Sequence, residues 1–519
     1  MSSQRLGSRN SAGGDAEAEV LARGGALNLV GAVVAGVAGL ALVVVATRAL
    51  GLAEAGRFFT VISIFLVLQT VGRLGADLGL VYFLARFRAL GNEERVSACL
   101  RAAFGPVLLV ACLLGGGLAL AADPLARWAL DGDGGGAVTM IRLLAVLLPL
   151  AVGYDLLLSI SRGYSRMRPT VLLEKIGRPV LQLTAMIAVA LAGGGPVALA
   201  VAWGLPFLPF AVLALGSARR ALPAKHLSGG RTSFTASFWR FTAPRAVASC
   251  AQILLQRLDI IIVAALRGPA DAAIYAAATR FLVAGQLGNQ AISTAVQPRL
   301  SGLLALRDMV QAGRLYQIST AWLVAISWPI FGIAAAFAPW ILDLFGDGYD
   351  EGSSVVVILS VAMMVATACG VVSIVLIMAG KTVWNLWNTL LALVLNIGID
   401  LALVPTLGIV GAAIGWAVAL LAANLVPLAQ VWRSERLHPF GAGTLTSMVL
   451  SGLCFWAVPF TVGATLGVGG WQLLLAGGIG TAAYGVAVWR FRDVMQLDAL
   501  RAIGRPGRRT ESAIAGGSV

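Results

Sequence analysis

Apolar residues in this chain neither alternate with polar ones nor keep to one helical face. They run together, as in Leu27–Ala46 and Val355–Met378, and short polar or glycine-rich connections separate the runs. A helix rising 1.5 Å per residue needs about 20 such residues to cross the roughly 30 Å hydrocarbon layer. A helix also satisfies its own backbone hydrogen bonds there. The pattern predicts about 14 spans: 25–47, 57–84, 101–122, 138–160, 171–192, 196–217, 243–266, 270–297, 318–341, 353–379, 383–404, 408–430, 443–465 and 469–490. The expected fold is an all-α polytopic membrane protein.

Two stretches repeat. Gly51-Leu52-Ala53-Glu54-Ala55-Gly56-Arg57-Phe58 resembles Gly268-Pro269-Ala270-Asp271-Ala272-Ala273-Ile274-Tyr275. Each reads glycine, carboxylate, aromatic, and the offset is about 217 residues. Gly163 and Gly380 open hairpins at the same offset, and Gly195–Trp203 resembles Gly408–Trp416. Six spans separate equivalent elements, so both copies have the same orientation. Parallel repeats are related by an axis along the membrane normal, with substrate sites between the halves. The expected organisation is a flexible tail at 1–22, a six-helix bundle at 23–217, a linker at 218–242, a second six-helix bundle at 243–430, two extra helices within 431–492 and a tail at 493–519.

Composition supports the membrane reading: 59% of residues are hydrophobic, 12% are charged and the mean hydropathy is +0.87. A net charge of +14 would suit a nucleic-acid binder if it were clustered on one soluble face. Instead Lys and Arg fill alternate connections (Arg86 to Arg101, Arg162 to Arg178, Arg219 to Arg245, Arg299 to Arg314, Lys381, Arg433, Arg436) and the tails. Asp123, Asp131, Asp133, Asp343, Asp347, Asp350 and Glu351 gather in the others. This is the positive-inside pattern, with both termini in the cytoplasm. No nucleic-acid partner is expected. The five cysteines form no C-x-x-C and read as small apolar residues. His226 and His438 sit in separate connections, which leaves no histidine cluster for a metal or a catalytic triad.

Three arginines lie within spans: Arg73, Arg257 and Arg280. A guanidinium at helix centre costs about 2.5–3.5 kcal/mol on insertion scales and therefore faces a bundle interior or water. Arg280 falls about eight residues inside the outer end of its span, roughly 12 Å deep. Gln286, Asn289, Gln290 and Gln297 follow it. A guanidinium fork grips phosphate oxygens in two places, so these residues predict a cavity for an anionic substrate. The competing reading is an internal ion pair in which Arg280 or Arg257 neutralises Asp259. Buried carboxylates are expected at Asp77, Asp155, Asp259 and Asp400. Asp259, Asp77 and Asp155 are candidates for a coupled ion, whereas Asp400 is placed near the outer end of its span. Asn385, Asn388 and Asn396 read as helix-to-helix contacts.

The order of spans, the hairpin holding Asp259, Gly268 and Tyr275, the run from Tyr275 to Arg280 leading to Pro298-Arg299-Leu300-Ser301, and Gly408–Ala413 together resemble polysaccharide-biosynthesis flippases. These belong to the multidrug/oligosaccharidyl-lipid/polysaccharide exporter superfamily and are similar to lipid II flippases. The resemblance implies two six-helix bundles in a V, alternating access, and undecaprenyl-pyrophosphate carrying an oligosaccharide as substrate. It also implies that Arg280 matches a cavity-lining arginine of lipid II flippases. The arginines of their first span have no counterpart here, where Asn28 is the only strongly polar residue, and this favours a different glycan.

The expected protein is thus a transporter in the bacterial cytoplasmic membrane rather than an enzyme. It needs no cofactor beyond a coupled sodium ion or proton. Its partners would be the lipid-linked oligosaccharide and membrane lipids, with a glycan polymerase or glycosyltransferases as protein partners. The alternatives are a multidrug/cation exporter of the same superfamily, which would want an acidic cavity, and a membrane-embedded glycan polymerase, which would want a large extramembrane loop.

Overall fold

The computed structural model describes residues 4–132, 136–222 and 234–495, and the regular structure among them is entirely helical. Of the segments read as tails and linker, residues 1–3, 223–233 and 496–519 lie outside the described residues, as do Asp133, Lys225, His226 and Arg231. Gln4–Ala49 is one helix and takes in most of the expected amino-terminal tail. The linker is shorter at both ends than its polarity suggests. Phe207–Ala221 closes one helix and Thr235 opens the next, because Phe238 and Thr242 pack on Gly79.

Twelve of the described helices are long and apolar enough to cross a membrane, not fourteen. The two remaining segments are helical at the expected places but differ from ordinary spans. The fifth, a π-helical stretch Thr170–Gly177 continued by Arg178–Leu191, carries Glu174, Lys175 and Arg178 close together. The eighth breaks at Thr279 into Pro269–Ala278 and Arg280–Ala305, and the second piece carries the Gln and Asn residues. A π-helical turn inside a helix and a break within a span both recur at functional sites.

Small residues set how closely the helices approach, as expected where lipid offers apolar side chains no reason to leave it. Leu52–Arg73 and Pro269–Ala278, the two repeat copies, lie against each other. Ala272–Ala278 is completely buried, and a methyl group at Gly56 would collide with the Pro269 carbonyl. At the other end, a Cβ on Gly75 would come 2.9 Å from the Ala246 nitrogen. Gly268 turns the hairpin with φ 96°, a conformation open only to glycine, and starts the next helix.

One large apolar core runs through the first bundle and on into Ile260–Ala264, Ala272–Ala278 and Leu359, Met363 and Ala412 of the second. A separate cluster around Tyr316, Trp322, Val372 and Leu376 holds the rest of the second bundle. The last helix, Gly470–Arg490, is largely exposed. It docks through Ala476, through Gly480 against the Cys454 carbonyl, and through Tyr484, whose hydroxyl donates to the Ala325 carbonyl at 3.1 Å.

Candidate functional site

The break at Thr279 places Arg280 at the head of a helix within the membrane, where continuous pairing would have left it mid-span. The Thr279 hydroxyl turns back to the Ala276 carbonyl at 3.0 Å. Arg280 is half-buried, and its Nε is enclosed with no hydrogen-bond partner. Arg257, on helix Thr235–Arg267, is likewise half-buried with an unpartnered Nε. The two guanidiniums lie within electrostatic reach of each other. Among the described residues neither forms an ion pair with a carboxylate. Two like charges held together at membrane depth repel, and an anion between them relieves both the repulsion and the loss of water.

Gln286, Asn289 and Gln290 continue along the same helix with exposed side chains. Asn289 accepts from Ser293 at 3.2 Å. None of the three hydrogen-bonds Arg280 among the described residues, so they form a polar stripe running away from it rather than one cluster with it.

Asp259 does not neutralise either arginine. Its Oδ2 accepts a 2.7 Å hydrogen bond from the Tyr275 hydroxyl, across the Gly268 hairpin. Its carboxylate lies beside that of Asp400, on helix Thr382–Leu407, at hydrogen-bonding range. Asn396 donates to Asp400 at 3.4 Å. All four residues are buried, and Oδ1 of Asp259, Asp400 and Asn396 each lacks a donor. Gly415 of the neighbouring helix makes room for Asp400, since a Cβ there would collide with its Oδ1. Three donorless oxygens in a dry pocket suit a small cation or a proton shared by the carboxylates. Among the described residues no group of three His, Cys, Asp or Glu forms a metal cluster.

A family model described as polysaccharide biosynthesis protein matches residues 21–304, more than half of the chain. The chain belongs to this family. A MatE family model also matches, over residues 244–401, which include Arg257, Asp259, Tyr275, Arg280, Asn396 and Asp400. No curated protein matches significantly. Among solved structures, the lipid II flippase MurJ in an inward closed conformation superposes with a TM-score of 0.69 at 15% identity, over 88% of this chain and 97% of that one. An inward-facing multidrug resistance MATE family transporter of the MOP superfamily gives 0.64 at 17% identity, over 78% and 96%. A MOP superfamily transporter from Pyrococcus furiosus, described as having a binding pocket of reversed polarity, gives 0.55 at 16% identity, over 81% and 96%. At these identities the likeness is one of fold, and the fold is that of MOP superfamily transporters.

In this polysaccharide biosynthesis protein the first bundle holds its own polar cluster. Arg73 lies 3.6 Å from both Asp77 and Asp155 and donates to the Thr70 hydroxyl at 2.9 Å. Asp155 also accepts from Gln69 at 2.8 Å. Arg73, expected to contact substrate, and the two ion-coupling candidates Asp77 and Asp155 thus form one ion-pair network, in which Arg73 is already balanced.

Sequence reasoning missed Asp400 and Asn396 as site residues and counted Arg178 and Lys175 with a connection. Arg178 stacks 4.7 Å above the Phe207 ring, within 6.0 Å of Tyr154. Lys175 reaches the first span and donates to Asn28 at 2.7 Å. The i, i+4 spacing of Asn396 and Asp400, with Gly415 in the next helix, was the available signal. It becomes specific only once Asp259 is known to face it.

Proposed function

We propose that the protein flips a lipid-linked oligosaccharide, carried on undecaprenyl pyrophosphate, from the inner to the outer leaflet of the bacterial cytoplasmic membrane by alternating access. Both termini lie on the cytoplasmic side in this reading. The observation that carries it is the Arg257–Arg280 pair: two guanidiniums within spans, in electrostatic reach of each other and without an ion pair to a carboxylate among the described residues. A diphosphate has the charge and the oxygen geometry to fill that place.

The head group would enter between the halves while its polyprenyl tail stays in lipid. An interior-negative potential favours outward movement of an anion by about 2.3 kcal/mol per charge per 100 mV. An ion at Asp259 and Asp400 would then act on the return of the empty carrier, by tying helix Thr235–Arg267 to helix Thr382–Leu407. A glycan polymerase or glycosyltransferases would supply the cargo or consume it.

Export of cationic drugs is the second reading, and the fold accommodates it. The acidic pair it would need, Asp259 and Asp400, is buried in the helix packing. The test is Arg280→Ala, with the leaflet of the lipid-linked sugar measured in intact cells or proteoliposomes. Flipping should fall at least tenfold, the loss expected for one charge-assisted contact of about 1.5–3 kcal/mol. Flipping at the parental rate would overturn the assignment.

A further inference from the structure

A second cationic place lies away from the paired arginines, at the arginine-rich membrane end of the second bundle. Helix Met309–Ala336, the turn after helix Ile409–Glu435 and the start of helix Ala442–Gly452 enclose a cavity of about 430 Å³. Arg314, Arg436 and His438 line it, with Gln317, and no carboxylate lines it among the described residues.

The acids nearest in sequence are engaged elsewhere. Glu435 pairs with Lys381 at 2.5 Å, Asp308 caps its helix through the Gln311 nitrogen at 3.0 Å, and Asp493 pairs with Arg492 at 3.8 Å. Beyond Met495 the sequence adds Arg501, Arg505, Arg508 and Arg509 against Asp498 and Glu511.

Two local features favour an anion in this cavity. The first turn of helix Ala442–Gly452 lines it, and Gly441 leaves that turn without a side-chain cap, so its free N–H groups and helix dipole add to the guanidinium charge. Arg436 ends the preceding helix with φ 58°, at a position where glycine is usual. The Arg436 side chain is thus kept at the cavity despite its backbone preference. From the cavity rim, Leu445 and Val449 run along one exposed face of the same helix, 54% and 58% accessible.

We propose that this cavity binds a phosphate-bearing anion, independently of the Arg257–Arg280 site. When the anion is a lipid headgroup, its acyl chains lie along Leu445 and Val449. The positive lining, the uncapped helix turn and the adjoining apolar face together match a phosphodiester at the membrane surface.

The experiment uses the full chain in nanodiscs of phosphatidylglycerol or phosphatidylcholine, with retained lipid counted by native mass spectrometry. Inorganic phosphate is titrated in the phosphatidylcholine discs. The variant combines Arg314→Gln with Arg436→Gly, the second chosen because glycine suits that backbone. Preferential retention of phosphatidylglycerol by the parent, weakened about tenfold or more in the double variant, supports a lipid headgroup. Phosphate binding that survives Arg280→Ala but is lost in the double variant, without a lipid preference, supports a soluble phosphate. Equal retention and equal phosphate binding by parent and double variant overturn the proposal. Should the double variant elute as aggregate, Arg314→Gln alone, at an exposed position, gives the same readout.

Discussion

The Tyr275 hydroxyl donates to Asp259 across a hairpin of one glycine, at 2.7 Å. Removing a donor from a buried charged acceptor costs about 1–3 kcal/mol or more. Tyr275→Phe is therefore expected to lower the thermal midpoint by several degrees and to change how sodium or protons shift it. An unaltered midpoint in both the presence and absence of sodium would show that the hydroxyl does not hold the carboxylate.

Gly415 supplies the space occupied by Asp400. Gly415→Ala should push the carboxylate away from Asp259, with an overpacking cost of about 1–3 kcal/mol. Ion-dependent thermal stabilisation should weaken more than overall stability. If the ion-induced shift is the same as in the parent, the two carboxylates do not act as one site.

Arg73 holds Asp77 and Asp155 rather than standing free. Arg73→Ala leaves a buried Asp155 uncompensated, a change of about 3–5 kcal/mol for a buried pair. Adding Asp155→Asn should recover much of that loss. A double-mutant cycle read by thermal unfolding gives the coupling directly. Additive effects would mean that the network is not an ion pair in the working protein.

At the opposite end, Arg48 ties the first span to the second bundle, donating to the Leu344 and Asp343 carbonyls at 2.9 and 2.5 Å. The contact is exposed, so Arg48→Gln should shift the closed–open balance by about 1 kcal/mol or less, up to fivefold in population. Faster labelling of a cysteine placed at Ala270, half-buried on the helix after the hairpin, would report the opening. Unchanged labelling would show that the seal rests on the Gly56–Pro269 contact alone.

Helical class and the repeat were legible because each depends on residues adjacent in the chain. A run of apolar residues has few other places to go, and the glycines at 51, 268, 195 and 408 all sit at helix starts as their alignment suggests. Twelve of the fourteen expected spans meet the length and hydropathy of a crossing helix among the described residues, and the other two are helical but set apart by their charges or breaks. The polarity of Thr235–Thr242 suggests a linker, although Phe238 and Thr242 bury against Gly79.

The chain by itself determined that the protein crosses the membrane many times, that similar glycine-led stretches recur at helix starts, and that a few arginines lie within spans. Only the tertiary structure decided which charges are balanced. Arg73 acquires Asp77 and Asp155, Asp259 acquires Tyr275 and Asp400, and Arg257 acquires Arg280 in place of the acid two positions along. Insertion into lipid acts on each residue through its own helix, whereas electrostatic pairing depends on distances between helices far apart in sequence.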